Sequence, residues 1–340
     1  MDPDVIAPNL KRRLSGVTAT VVRLVPLQAR DIAIVTTGPG LPPGLPHLAL
    51  WRVALLPRRA RIWHARRNTD LLAGVVLKRL FRRDLRLIFT SSSPRVRSAW
   101  TRWLIGHCSA LVATNTRNAA VMPPHIPTEI IPHGIDTTAF SPHPPGHFGL
   151  PGQRLIGCFG RIRERKGIAD LVQALTLVLP AHPEWSAVIM GRVTRAEQGF
   201  AAQMHSQIAA AGLETRIHIR PEARLADMPA AYSDLALYVA PSQYEGFGLT
   251  PLEAMACGVP VLATSGVGTF DDQVAEGLTG HLVPPSAPVA LTAALAALLS
   301  DPAHLARLAS AARAHVAAHF AIATEAAALT ALYRKLLAQP

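Results

Sequence analysis

Apolar runs of four to seven residues alternate with longer stretches of helical periodicity along most of this chain. In the first half, Val5-Ile6-Ala7, Ile32 to Thr36, Arg61 to His64, Leu85 to Thr90 and Ala110 to Ala113 read as strands. Gly16 to about Gln28, Asp70 to Arg83 and Ser98 to Cys108 read as helices between them. The strands are near-continuously apolar rather than alternating, the mark of a parallel sheet covered on both faces. A second series begins at Arg154, with strands at 155–159, 187–190, 216–219, 235–240 and 259–263 and helices at 167–179, 195–211 and 250–257. From Ala287 the chain is alanine-rich helix, ending in Ala323 to Leu337. Strand–helix alternation of this kind predicts an α/β fold, and 340 residues suggest two Rossmann-like domains. Proline and histidine crowd residues 141–151, which reads as the linker. The expected division is 1–145 and 151–320, with 321–340 as a terminal helix.

Charge changes the picture. The chain carries +12 overall, but residues 1–150 hold 20 Lys and Arg against 7 Asp and Glu, and residues 151–340 hold 14 against 15. A first half at +13 should face something anionic: a bilayer surface, an acidic glycolipid or nucleic acid. Aromatics are only 5% of residues and no basic–aromatic interleaving occurs, which argues against nucleic acid as the partner. Lys78, Arg79, Arg82, Arg83 and Arg86 fall at helical spacing beside Leu71, Val75 and Leu80 and predict a cationic stripe for membrane docking. No run of 18 apolar residues is free of charge or proline clusters, and Met-Asp-Pro-Asp lacks a basic signal-peptide start, so cytoplasmic, peripheral placement is expected. Three cysteines without close spacing indicate neither a disulfide framework nor a zinc knuckle.

Candidate chemistry concentrates at strand ends. Glu245-Gly-Phe-Gly-Leu-Thr-Pro-Leu-Glu253 follows the apolar run 235–240 and precedes a helix. Such a glycine-rich turn offers backbone N–H groups to phosphate or sugar. Thr250-Pro-Leu-Glu253 also spells a capping box, so Glu253 could simply close the helix start. Arg161 and Lys166, five residues apart after Gly160, are candidate cations for a departing diphosphate. The Asp-x-Asp at Asp2 and Asp4 precedes the first strand and is expected to be frayed.

Glu245-x7-Glu253 followed by Ala-Met-Ala-Cys-Gly-Val-Pro-Val, together with Phe159-Gly-Arg-Ile-Arg-Glu-Arg-Lys166-Gly167 and Ile131-Pro-His-Gly-Ile-Asp136…Phe140, resembles the retaining GT-B glycosyltransferases of family 4. Pro8-Asn9 through Val17 and Trp63-His-Ala-Arg-Arg-Asn68 resemble, more narrowly, bacterial lipopolysaccharide-core mannosyltransferases. The resemblance implies two Rossmann-like domains facing across a cleft, with the last helix crossing back onto the first. It implies Arg161, Lys166 and Glu245 as catalytic residues, and Gly16, Phe247, Gly248, Leu249 and Glu253 as donor-binding ones. Glu253 would accept from ribose hydroxyls. The co-substrate would be a nucleotide-diphosphate sugar, GDP-mannose or alternatively a UDP-sugar, with no metal and no cofactor. An anionic glycolipid is the implied acceptor, with His64, Arg66 and Arg67 as its contacts. An epimerase or phosphorylase of the same fold is less favoured because its motifs are not seen. Many family members carry a histidine after the strand ending here at Thr90; this chain has Thr90-Ser91-Ser92-Ser93, leaving His64 or Ser91 to stand in for it.

Overall fold

The computed structural model describes residues 2–11, 16–92, 97–150 and 153–339. The chain divides into two compact units, 1–134 with 322–340, and 135–321.

The first unit is built on β1 (Val5–Pro8), β2 (Ile34–Thr37), β3 (Arg61–Ala65), β4 (Leu85–Ser91), β5 (Ala110–Ala113) and β6 (Thr128–Ile130). They form one sheet in the order β2-β1-β3-β4-β5-β6, every pair parallel. Its helices are α1 (Gly16–Gln28), α2 (Leu50–Val53), α3 (Asn68–Arg79), α4 (Ala99–Ile105) and α5 (Thr116–Ala120). Alternate strand residues feed opposite faces. Val5, Ile62, Ile88 and Val112 pack on one side, with Leu24, Leu329 and Tyr333. Ile6, Trp63, Leu87 and Leu111 pack on the other, with Leu71 and Leu104. This two-sided burial is why the strands carry no polar face.

The second unit has β7 (Arg154–Phe159), β8 (Trp185–Met190), β9 (Ile217–Arg220), β10 (Leu235–Ala240), β11 (Val261–Thr264) and β12 (Gly280–Val283). Their order is β12-β11-β10-β7-β8-β9, again wholly parallel. Its helices are α6 (Ile168–Val178), α7 (Gln198–Ala210), α8 (Met228–Ser233), α9 (Thr250–Ala256), α10 (Phe270–Gln273), α11 (Pro288–Ser300) and α12 (Pro302–His319). The final helix, α13 (Ile322–Leu337), belongs to the first unit, where it packs against α1 and β3.

The boundary differs from expectation. Residues 135–145 pack with the second unit, because Phe140 is buried with Tyr232 and Phe159. Phe148 joins them, and the backbone N–H groups of Gly146 and Phe148 both donate to the Asp234 carboxylate. The proline-rich stretch is therefore tied down by aromatic anchors. The crossover lies at 134–135 and again at 321–322. β6 and β12, each short and only partly buried, and the one-turn helices α2 and α5 lie outside the sequence-based assignment.

Candidate active site

In the second sheet the strand order reverses between β7 and β10, and parallel α/β sheets bind ligands at the carboxyl edge of such a switch. A small hollow lies there, lined by Phe159, Gly160, Arg161, Lys166, Tyr238, Pro241, Ser242 and Thr250. Two sharp backbone departures shape it. Gly160 has φ +137° where the chain leaves β7, and Gly167 has φ +65° where it enters α6. A Cβ on Gly167 would sit 1.8 Å from the Pro241 carbonyl oxygen, so only glycine lets α6 start this close to β10. A single turn of 3₁₀ helix over Glu164–Lys166 aims Lys166 back toward the hollow.

Lys166 Nζ donates to Glu245 Oε1, to which Ser242 Oγ also donates at 3.3 Å. Both charged side chains are mostly buried, at 16% and 15% exposure, so the pair is held rather than loosely solvated. Arg161 is exposed at the rim. Burial pushes the Cys158 thiol at the base of the hollow up to about 12, with Lys166 opposing and Glu245 adding to the rise. Cys158 is thus a neutral wall and no nucleophile. Tyr238, also buried, donates its hydroxyl proton to the Phe159 carbonyl at 3.1 Å and fixes the end of β7.

The glycine turn after Glu245 is braced from α10. Thr269 Oγ1 donates to the Phe247 carbonyl at 3.0 Å, and Gln273 Nε2 to the Gly248 carbonyl at 2.9 Å. Gly248 has φ +86°, and a Cβ there would lie 2.4 Å from the Phe270 ring. Phe247 puts its side chain in the core and so offers only its backbone. The capping-box alternative for Glu253 does not hold. Leu249 is the N-cap and makes no side-chain cap bond, while Glu253 Oε2 accepts from the buried Tyr232 hydroxyl at 2.8 Å. Glu253 is therefore positioned by the core beneath α9.

In the first unit the sequence-predicted contacts separate. His64 is fully buried, with Nδ1 2.6 Å from the Tyr333 hydroxyl and Nε2 2.6 Å from Thr90 Oγ1. Burial first, then Arg66 and His133, hold its pKa well below 6.5. It is a neutral bridge between β3, β4 and α13, not an acceptor contact. Arg67 is likewise committed, donating to Asn9 Oδ1 at 2.7 Å and Thr18 Oγ1 at 2.9 Å. These bonds tie the end of β1 to α1, which opens at Gly16; residues 12–15 of the Pro8–Val17 segment lie outside the described residues. Arg66 lines a cavity of about 280 Å³ with Thr90, Ser91, Ser92, Arg97 and His133.

His133 was missed as a site residue. Its Nδ1 is 2.9 Å from Glu325 Oε1 and its Nε2 2.9 Å from Ser92 Oγ, while Glu325 Oε2 accepts from the Gly134 N–H at 2.7 Å. Glu325 lies on α13, nearly two hundred residues away, so spacing could not reveal the pairing. Ser91 accepts from Arg97 Nη2. Ser93 lies outside the described residues.

The cationic stripe is also corrected. α3 ends at Arg79, and Arg82 has φ +49°, so 78–86 is not one helical face. Leu71 and Val75 are core residues, Arg83 Nη1 donates to the Leu56 carbonyl, and Arg86 bonds the carbonyls of Leu336 and Gln339. The outer face instead shows Leu72, Val76 and Leu80 at i, i+4 spacing, beside exposed Lys78, Arg79 and Arg82. On the neighbouring α4, Trp100 and Trp103 stack in the open at 4.9 Å. Asp2 and Asp4 are not frayed, since Arg59 and Arg61 pair with them at 2.5–2.9 Å. Among the described residues no single helix is long and apolar enough to cross a membrane.

The family model described as glycosyl transferases group 1 matches residues 147–315. The lipopolysaccharide core biosynthesis mannosyltransferase LpcC of Rhizobium leguminosarum bv. viciae is 45% identical, covering 99% of this chain and 97% of its own. LpsB of Rhizobium meliloti, of the same description, is 41% identical over 99% and 98%. Among solved structures, Anabaena Alr3699/HepE in complex with UDP and glucose matches with a TM-score of 0.81, covering 98% of this chain and 100% of that one. At 19% identity that likeness speaks for the fold, which is GT-B. Two wholly parallel six-stranded sheets, a cation–carboxylate pair at a switch point and full-length kinship above 40% lead to one conclusion: the chain belongs to the group 1 glycosyltransferases.

Proposed function

We propose that this enzyme transfers mannose from GDP-mannose onto a lipopolysaccharide-core or closely related anionic glycolipid, with retention of anomeric configuration and without a metal. The observation that carries the reading is the Lys166–Glu245 pair with Arg161 at the mouth of the β7/β10 hollow. Breaking the bond between sugar and diphosphate builds negative charge on the leaving oxygens. Lys166 and Arg161 are cations placed to offset it. Glu245 orients Lys166, and the backbone of Phe247, Gly248 and Leu249, made rigid by Thr269 and Gln273, is a second set of donors. Glu253, fixed by Tyr232, is suited to accept from ribose hydroxyls. The leaving phosphate oxygen can itself take the acceptor proton, so retention needs no protein base.

Mannose and the lipopolysaccharide core come from the names of the two relatives. The basic first unit supports an anionic glycolipid at the cytoplasmic membrane face. Its exposed Leu72, Val76, Trp100 and Trp103 lie on the same two helices as Lys78, Arg79 and Arg102, with exposed Leu80 just past the end of α3, and suit peripheral docking. A UDP-sugar is the alternative donor, favoured by the UDP complex of the structural neighbour. Thermal-shift titration with GDP and UDP separates the two. A nucleotide at a hundred times its dissociation constant stabilises by about 2.7 kcal/mol, so GDP should raise the melting temperature at concentrations where UDP does not. The reverse order would replace GDP-mannose with a UDP-sugar.

A further inference from the structure

We propose that Ser92, His133 and Glu325 form a second catalytic centre in the first unit, in which Ser92 is the nucleophile that hydrolyses a small carboxylic ester. The three residues come from separate segments: the residue after β4, the stretch after β6, and α13. This activity goes beyond sugar transfer and does not rest on it.

His133 Nε2 lies 2.9 Å from Ser92 Oγ, and its Nδ1 lies 2.9 Å from Glu325 Oε1. Glu325 is only 6% exposed, and its second oxygen accepts from the Gly134 N–H at 2.7 Å. An ionised carboxylate only accepts, so Nδ1 carries the imidazole proton. A neutral His133 therefore turns the Nε2 lone pair toward the serine hydroxyl. Nucleophile, base, and a buried acid that orients the base is the order of groups that activates a hydroxyl. His64 supplies a contrast within the same unit. Its Nε2 also meets a hydroxyl, Thr90 Oγ1 at 2.6 Å, but its Nδ1 faces the Tyr333 hydroxyl rather than a carboxylate. His64 is fully buried, whereas Ser92 and His133 both line the cavity of about 280 Å³. Of these two pairs, that of His133 is both oriented by a carboxylate and reachable.

Ser92 Oγ attacks the ester carbonyl carbon as His133 Nε2 takes the hydroxyl proton. The tetrahedral intermediate collapses, the bond to the alcohol oxygen breaks, and His133 returns the proton to that oxygen. A water molecule, losing a proton to His133, then attacks the acyl-serine. A carboxylic acid leaves, and Ser92 recovers its proton from His133. The negative oxygen of each tetrahedral intermediate forms in a cavity lined by Arg66 and Arg97, with no carboxylate on its wall among the described residues. A positive field at the place where an oxyanion develops lowers the barrier to forming it. The volume lies just below the usual range of small-molecule sites, which suits a short acyl ester rather than a long-chain lipid ester.

The test combines reaction of the full-length protein with a fluorophosphonate, read by mass spectrometry, and hydrolysis of p-nitrophenyl acetate. Peptide fragmentation should place the phosphonyl adduct on Ser92. Ser92→Ala should lower turnover of the ester by about a hundredfold or more, and His133→Gln should abolish the adduct. Glu325→Gln should lower kcat and leave KM unchanged, a split that a merely structural tie would not produce. Cooperative melts establish that each variant is folded; if Glu325→Gln is not, the adduct and Ser92→Ala decide. No adduct on Ser92, adduct formation at the wild-type rate by folded His133→Gln, or unchanged kcat in folded Glu325→Gln would overturn the proposal. Undiminished ester hydrolysis by Ser92→Ala would do the same.

Discussion

Arg66 and Arg67 are neighbours in sequence with opposite fates. Arg67 donates to Asn9 and Thr18, and losing bonds from a charged donor costs about 1.5–3 kcal/mol. Arg67→Ala should therefore lower stability in denaturant melts, whereas Arg66→Ala should chiefly raise the acceptor Michaelis constant. His64 gives a pH signature. It stays neutral when folded, facing Tyr333, Thr90, Arg66 and His133, because its folded pKa lies well below 6.5. The unfolded chain takes up that proton as pH falls through about 6.5 and the folded protein does not. This contribution to stability is thus fully present above about pH 6.5 and is lost as pH drops toward the depressed folded value. Melts at pH 7.5 and 5.5 should show the loss, and His64→Gln should shrink the difference between them. If the two proteins respond identically to pH, His64 is not the buried neutral bridge described. Arg161, Lys166, Glu245 and Gly248 stand out in the sequence because each lies in a glycine-bearing loop after an apolar strand, whereas the pairing of Lys166 with Glu245 spans 79 residues and is not legible there. His64, Arg97 and His133 were illegible because what decides their roles is a partner far away in sequence or a cavity wall.

At the scale of elements, strands such as β5 and β10 were legible because they are apolar throughout and bounded by polar or proline residues. β6 and β12 were not, since partial burial leaves them a mixed pattern with no clear period. The 141–151 stretch looks like a linker by composition, and residues 142–147 are indeed exposed, yet Phe140 and Phe148 anchor it to the second unit's core, and composition carries no information on what an aromatic packs against. The junction of β7 with α6 depends on Gly167. Gly167→Ala places a Cβ against the Pro241 carbonyl at a left-handed position, so it should cost more than about 1 kcal/mol in a melt and weaken nucleotide binding. The outer face of α3 makes a separate prediction. Each cation near an anionic bilayer adds about 1 kcal/mol, screened by salt. Co-sedimentation with anionic vesicles should fall sharply for Lys78→Gln/Arg79→Gln/Arg82→Gln and for Trp100→Ser/Trp103→Ser. No binding by wild type at low salt would remove the membrane from the account.

For the whole molecule, positive charge concentrates in the first half of the chain, while the second unit carries Lys166 and Arg161 at its own hollow. Under the proposed function the second unit would take the sugar donor and the basic first unit the anionic acceptor. The only Asp-x-Asp of the chain is engaged by Arg59 and Arg61. The central claim is that Lys166 and Arg161 stabilise the departing diphosphate. The most direct measurement is transfer of labelled mannose from GDP-mannose to a lipopolysaccharide-core acceptor in EDTA, by wild type and by Arg161→Ala/Lys166→Ala. The account predicts undiminished wild-type transfer in EDTA and a loss of about a hundredfold or more in turnover for the double variant. Abolition of wild-type transfer by EDTA, or full turnover by the double variant, would contradict it.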